Sequence, residues 1–160
     1  MFNNYDSEAL IKCYRMLAKK CEALDRFIQN HAFHFGVTDC EFGSFDVCNN
    51  IIDLMTRKNR LINLKVIVDK AIDVLSENDK KVIFIKMHYN LSMAEICEIL
   101  ELKERTAFRR IEKAIENLTA SLNNSKYSEK LDYIMRDEEW IERIRDEIKA
   151  KRMALKFRHQ

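Results

Sequence analysis

The stretch Ser92–Leu118, SMAEICEILELKERTAFRRIEKAIENL, constrains this chain most, because its apolar residues fall into two short helical runs with a break between them. Ser92 is a good helix N-cap, and Glu95 stands where a capping box needs its carboxylate. From Met93 onward Ile96, Ile99 and Leu100 recur at steps of three and four, which predicts one apolar helical face. Glu101–Lys103 interrupts the pattern around an inward-looking Leu102, and a tight turn is expected there. Ala107, Ile111, Ala114, Ile115 and Leu118 then share one face of a second helix. At about 100° per residue the opposite side carries Arg105, Thr106, Arg109 and Lys113. Such a helix pair, with cations and hydroxyls near the start of the second member, matches the way a reading helix enters the major groove. Lysine and arginine there also neutralise phosphates.

These residues carry a resemblance. The pattern Glu95-Ile96-Cys97, Leu100, Leu102, Thr106, Arg110-Ile111, Ala114 and Leu118 resembles the promoter-reading, C-terminal helix-turn-helix of bacterial sigma factors, in the version shared with small phage sigma-like regulators of the ArpU type. It extends over about Leu75 to Leu122. A preceding helix is part of that family's motif, and Ser76 to Tyr89 supplies one, with Ser76 and Asp79 as a cap pair and Val82, Ile83, Ile85 and Met87 as its apolar side. Two positions depart from the pattern: Glu101 stands where glycine is usual in the turn, and Lys103 where Ser or Thr usually caps the reading helix. The resemblance implies a sequence-specific, double-stranded DNA-binding transcription regulator of a bacterium or phage, with RNA polymerase as a candidate partner. Arg105, Thr106 and Arg109 would then approach base edges, and Lys103, Arg110 and Lys113 would hold phosphates. Phe108, at the border of the two faces, is expected to pack rather than to touch a thymine methyl.

The rest of the chain is expected to be helical as well. Among 160 residues there is no proline, and Gly36 and Gly43 are the only glycines. An all-α fold follows, organised as an N-terminal helical hairpin over 1–74, the helix-turn-helix over 75–122 and a long amphipathic helix over 123–160. In the first helix, capped by Asp6 or Ser7, Leu10, Tyr14, Leu17, Cys21, Leu24, Ile28 and His31 form a seam. The second runs from about Phe45 to Leu75, with Ile51, Leu54, Leu61, Leu64, Val68, Ile72 and Leu75 on one side. Between them lies a loop, HAFHFGVTDCEFGSF, whose Phe33, Phe35, Phe42 and Phe45 are expected to cover the open end of the hairpin. The last helix, from about Ser128, has a stripe of Leu131, Ile134, Ile141, Ile144, Ile148 and Leu155. That stripe needs burial, against the chain itself first, or in a homodimer through the C-terminal helix, or on a partner. Lys149, Lys151, Arg152, Lys156 and Arg158 follow as a basic tail that suits either phosphates or the negative end of the helix.

Charge and chemistry narrow the function classes. The formal net charge is only +2, so attraction to nucleic acid has to come from local clusters. No window offers the ~18 uncharged apolar residues that span a bilayer, and MFNNYDSEAL lacks the regions of a signal peptide, so a cytoplasmic protein without membrane contact is expected. Five cysteines without a CxxC pair suit a reducing compartment. His31 and His34 make one possible ligand pair, but Cys40 and Cys48 are too widely separated to complete a zinc site, and no metal or cofactor is expected. Two glycines cannot build a phosphate cradle, no G-x-S-x-G elbow occurs, and Asp137-Glu138-Glu139 reads as a solvated helix face, so no catalytic residues are expected. A different class remains as the alternative, a protein-binding adaptor in which the helix-turn-helix is structural and the C-terminal stripe docks a partner helix.

Overall fold

A computed structural model describes residues 1–35, 44–89 and 91–158, which form seven α-helices and no strand. The fold is all-α, as the missing prolines and the three- and four-residue apolar steps predict.

Helix α1 (Asn4–Phe35) starts earlier than expected and runs through the first residues of the anticipated loop. Asn3 is its cap: its Oδ1 accepts from the N–H of Tyr5 at 2.9 Å and of Asp6 at 3.2 Å, while Asp6 Oδ2 accepts from the Asn3 N–H at 2.9 Å. This reciprocal pair leaves Ser7 free to turn inward. Helix α2 (Ser44–Asp73) lies antiparallel to α1, since Tyr14 donates to Asp69 at 2.6 Å while Lys58 donates to Asp25 at 2.6 Å. Cys21, Leu24, Leu54 and Leu61 lie in the core or against it. Phe33 and Phe45 do not close the far end of the pair; both are exposed. Two helices packed on each other share one seam, and side chains off that seam stay in water. The side chains of His34 and Phe35, and all of Cys40 and Phe42, lie outside the described residues.

Helix α3 (Glu77–His88) is capped as its sequence predicts, with Ser76 Oγ accepting from the Asp79 N–H at 3.2 Å. Asp79 also accepts from Asn117 Nδ2 at 2.8 Å, which ties α3 to α5 (Glu104–Asn124). Helix α4 (Met93–Leu100) lies between them in sequence.

The anticipated single C-terminal helix is two helices, α6 (Ser128–Asp137) and α7 (Glu139–Arg158), broken at Glu138. Glu138 is not part of a solvated face: it is 1% exposed. Its carboxylate accepts from Arg57 Nε at 3.0 Å and Nη2 at 2.8 Å, and from Trp140 Nε1 at 2.8 Å. Its carbonyl accepts the first bond of α7, from the Ile141 N–H at 2.8 Å. A buried carboxylate survives only with such partners, and turning Glu138 toward them costs α6 its continuity.

Helix α7 runs back along α1: Trp140 lies beneath Lys20, Glu147 meets Lys12 at 3.3 Å, and Arg152 pairs with Glu8. Leu131, Ile134 and Ile141 are thereby buried within the chain, and Ile144 packs against the core. The three segments of the sequence share one core. Leu10, Leu64, Ile83, Ile115, Leu131 and Ile141 belong to it. Buried polar bonds cross it, with Ser7 Oγ and Thr119 Oγ1 2.7 Å apart. Phe2 and Asn123 exchange two further bonds, N–H to Oδ1 at 2.7 Å and Nδ2–H to the carbonyl at 3.0 Å. Burial pushes the Cys13 thiol up to about 12, against the pull of Lys12 and Lys20, so it acts there as a small apolar residue. No described helix is long and apolar enough to cross a membrane.

Candidate nucleic-acid interface

The interface is built from α4, a left-handed turn and α5. At the start of α4 the capping box is complete: Glu95 Oε2 accepts from the Ser92 N–H at 2.7 Å, and Ser92 Oγ accepts from the Glu95 N–H at 3.4 Å. Hydrogen bonds from the Ser92 hydroxyl and backbone hold the Glu95 carboxyl below its usual range. Ile96 is buried and Leu100 half-buried, while Ile99 points to solvent, so α4 has a narrower inner face than its spacing predicts.

Glu101 ends α4 at φ 54°, ψ 40°, the only positive φ at a non-glycine among the described residues. Its N–H reaches the carbonyls of Cys97 and Glu98, and the Leu102 N–H bonds the Cys97 carbonyl at 3.0 Å, which closes a Schellman turn. The glycine-like position of the sequence pattern is therefore left-handed in fact, at a cost of about 1 kcal/mol for a residue with a side chain. Lys103 is the cap residue of α5 and makes no side-chain cap bond. The Lys103 carbonyl accepts from the N–H groups of Thr106 and Ala107, each at 2.9 Å.

Helix α5 buries Ala107, Ile111, Ala114, Ile115, Leu118 and Leu122. With that side occupied, Lys103, Arg105, Thr106, Arg109 and Lys113 are exposed and Arg110 is half-buried. None of these cations takes part in an ion pair among the described residues. Arg105, Arg109 and Lys113 stand four residues apart on one row, about 6 Å per step. Like charges at that spacing disfavour an isolated helix by about 0.2–0.5 kcal/mol per pair, a cost that an anion laid along the row would remove. Glu116, further along the same side, ends the cationic stretch.

Phe108 does not pack as expected; it is 49% exposed at the edge of this face. With the exposed Ile99 it adds apolar surface that no sequence signal separates from core positions, because both fit the helical spacing of their neighbours. Of the basic tail, Arg152 is tied to Glu8 and Glu112, while Lys149 and Lys151 are exposed. The side chains of Lys156 and Arg158 lie outside the described residues. His31 and Cys48 are exposed on α1 and α2, and among the described residues no cluster of three His, Cys, Asp or Glu is placed to hold a metal ion.

No protein-family model, curated protein or solved structure matches the chain.

Proposed function

We propose that the chain is a sequence-specific regulator of transcription that binds double-stranded DNA through α4 and α5, with α5 as the reading helix. The observation that supports this most is the row of exposed, unpaired cations on α5, backed by a fully packed inner face. Arg105, Thr106 and Arg109 meet base edges in this reading, and Lys103, Arg110 and Lys113 meet phosphates. The sigma-like pattern of the sequence makes a bacterial or phage promoter element the target, in the cytoplasm, with RNA polymerase as a neighbouring partner. The adaptor alternative has less support, because Leu131, Ile134 and Ile141 of its docking stripe are buried within the chain.

Selection of bound sequences from random duplexes, followed by fluorescence anisotropy on the best site, tests the proposal. Arg109→Ala is expected to weaken specific binding by about 1–3 kcal/mol, roughly five- to 150-fold, and to relax the preference at one base pair. Affinity for the wild type should fall steeply with salt. Absence of any selected sequence, or equal affinity of wild type and Arg109→Ala, would sink it.

A further inference from the structure

Helix α2 is apolar on two sides. One side faces α1 and the core; the other carries a second series, in which Phe45, Ile52, Asn59 and Val66 alternate with Cys48, Met55 and Ile62. All seven are exposed, and the large apolar ones keep between 43% and 76% of their surface in water. Their steps of three and four residues hold over three heptads without interruption, the spacing of a coiled-coil seam in which Phe45, Ile52, Asn59 and Val66 are a positions and the others d positions. Arg57 and Arg60, which reach Glu138 and Asp137, leave α2 in other directions, so α6 does not cover the seam.

We propose that this seam joins two copies of the chain as a parallel, in-register coiled-coil dimer. The occupant is a second copy because of Asn59. In a parallel pair each a residue faces its own counterpart, and two Asn59 amides satisfy each other. In an antiparallel pair a positions face d positions, and Asn59 would lie against Met55 or Cys48, with its amide unpaired. The flanks permit the pairing too. Lys58 and Lys65, beside the seam, are already held by Asp25 at 2.6 Å and Asp69 at 2.8 Å, so two copies bring no bare like charges together there. Residues on the opposite flank, Asn49, Thr56 and Asn63, are uncharged. A seam of this length, about 33 Å, removes on the order of 1,200 Å² from water across two copies, the lower end of stable specific interfaces. The pairing is independent of whether α5 meets DNA.

Sedimentation of the full chain over about 1–100 µM, where mass action shifts the population, should show a species of twice 19.1 kDa. The double change Ile52→Lys, Met55→Lys touches only exposed side chains, and should leave the helical circular dichroism intact and the mass at that of one chain. Phe27→Lys, an exposed apolar position on α1, should keep the dimer. The exposed Cys48 sits at a d position and reports the register. In a Cys40→Ser background, diamide as two-electron oxidant should link Cys48 to its counterpart, as Cα atoms within about 7 Å allow, and Cys48→Ser should abolish the link. A single-chain mass at every concentration overturns the proposal, as does a dimer that survives the double change. A dimer lost on that change but never cross-linked through Cys48 overturns the parallel register.

Discussion

The arginines of α5 and those of α2, α6 and α7 live in different electrostatic company. Arg57, Arg60, Arg136, Arg143, Arg145 and Arg152 each hold a carboxylate, whereas Arg105, Arg109 and Arg110 hold none among the described residues. In a chain with nearly balanced charge, that contrast separates Arg57, Arg60, Arg145 and Arg152, whose carboxylates lie outside their own helices, and Arg136 and Arg143, paired within their own helices, from the arginines of α5, which have no internal partner among the described residues. The contrast predicts that the positive face of α5 is dispensable for folding and that the joint around Glu138 is not.

The sharpest way to break this contrast is Arg57→Ala. It strands the buried Glu138 with Trp140 as its remaining side-chain partner, and should cost about 3 kcal/mol in urea unfolding, near the low end for broken buried pairs because Arg57 is itself 46% exposed. A neutral result would mean that the paired arginines carry no more of the fold than the unpaired ones. Arg109→Ala comes next: a loss of about 1–3 kcal/mol in DNA affinity, with unfolding free energy unchanged within about 0.5 kcal/mol. Arg143→Ala sharpens the comparison from within the paired set. Its bond to Glu139 at 2.9 Å joins two exposed side chains one turn apart, so its removal should change stability by less than about 0.5 kcal/mol. The smallest effect belongs to pH. Because the folded state holds the Glu95 carboxyl below its ordinary 4.5, the capping box contributes in full above that value. The contribution disappears as pH falls through the lower folded value, and NMR of the Ser92 and Glu95 amides should show α4 fraying there and not near neutrality.

Much of this was legible in the sequence, and the exceptions share a cause. The all-α class, the Ser76 and Ser92 caps, the turn at Glu101 and the inner face of α5 are local patterns, each set by residues within a few positions of one another. Glu138 is the opposite case: its partner Arg57 is 81 residues away, and nothing in Asp137-Glu138-Glu139 distinguishes the residue that turns inward. Phe33, Phe45, Ile99 and Phe108 are apolar, which predicts cover, yet what decides coverage is which neighbouring helix exists at that height. The outer stripe of α2 is hard to separate from its core side in the sequence for a related reason, since a helix apolar on both sides shows no dominant face. At α5 the exposure of Arg105, Thr106, Arg109 and Lys113 follows directly from counting around the helix. That they lack internal acids required the whole arrangement of helices.

The bonds that Phe2 exchanges with Asn123, and Ser7 with Thr119, fasten the first turns of α1 to the last turns of α5. The helix that carries the cations should therefore have no melting temperature of its own: heating should erase its presentation of charge in the same cooperative step that releases the hairpin, and an excised 75–122 peptide would lose the wall it leans on.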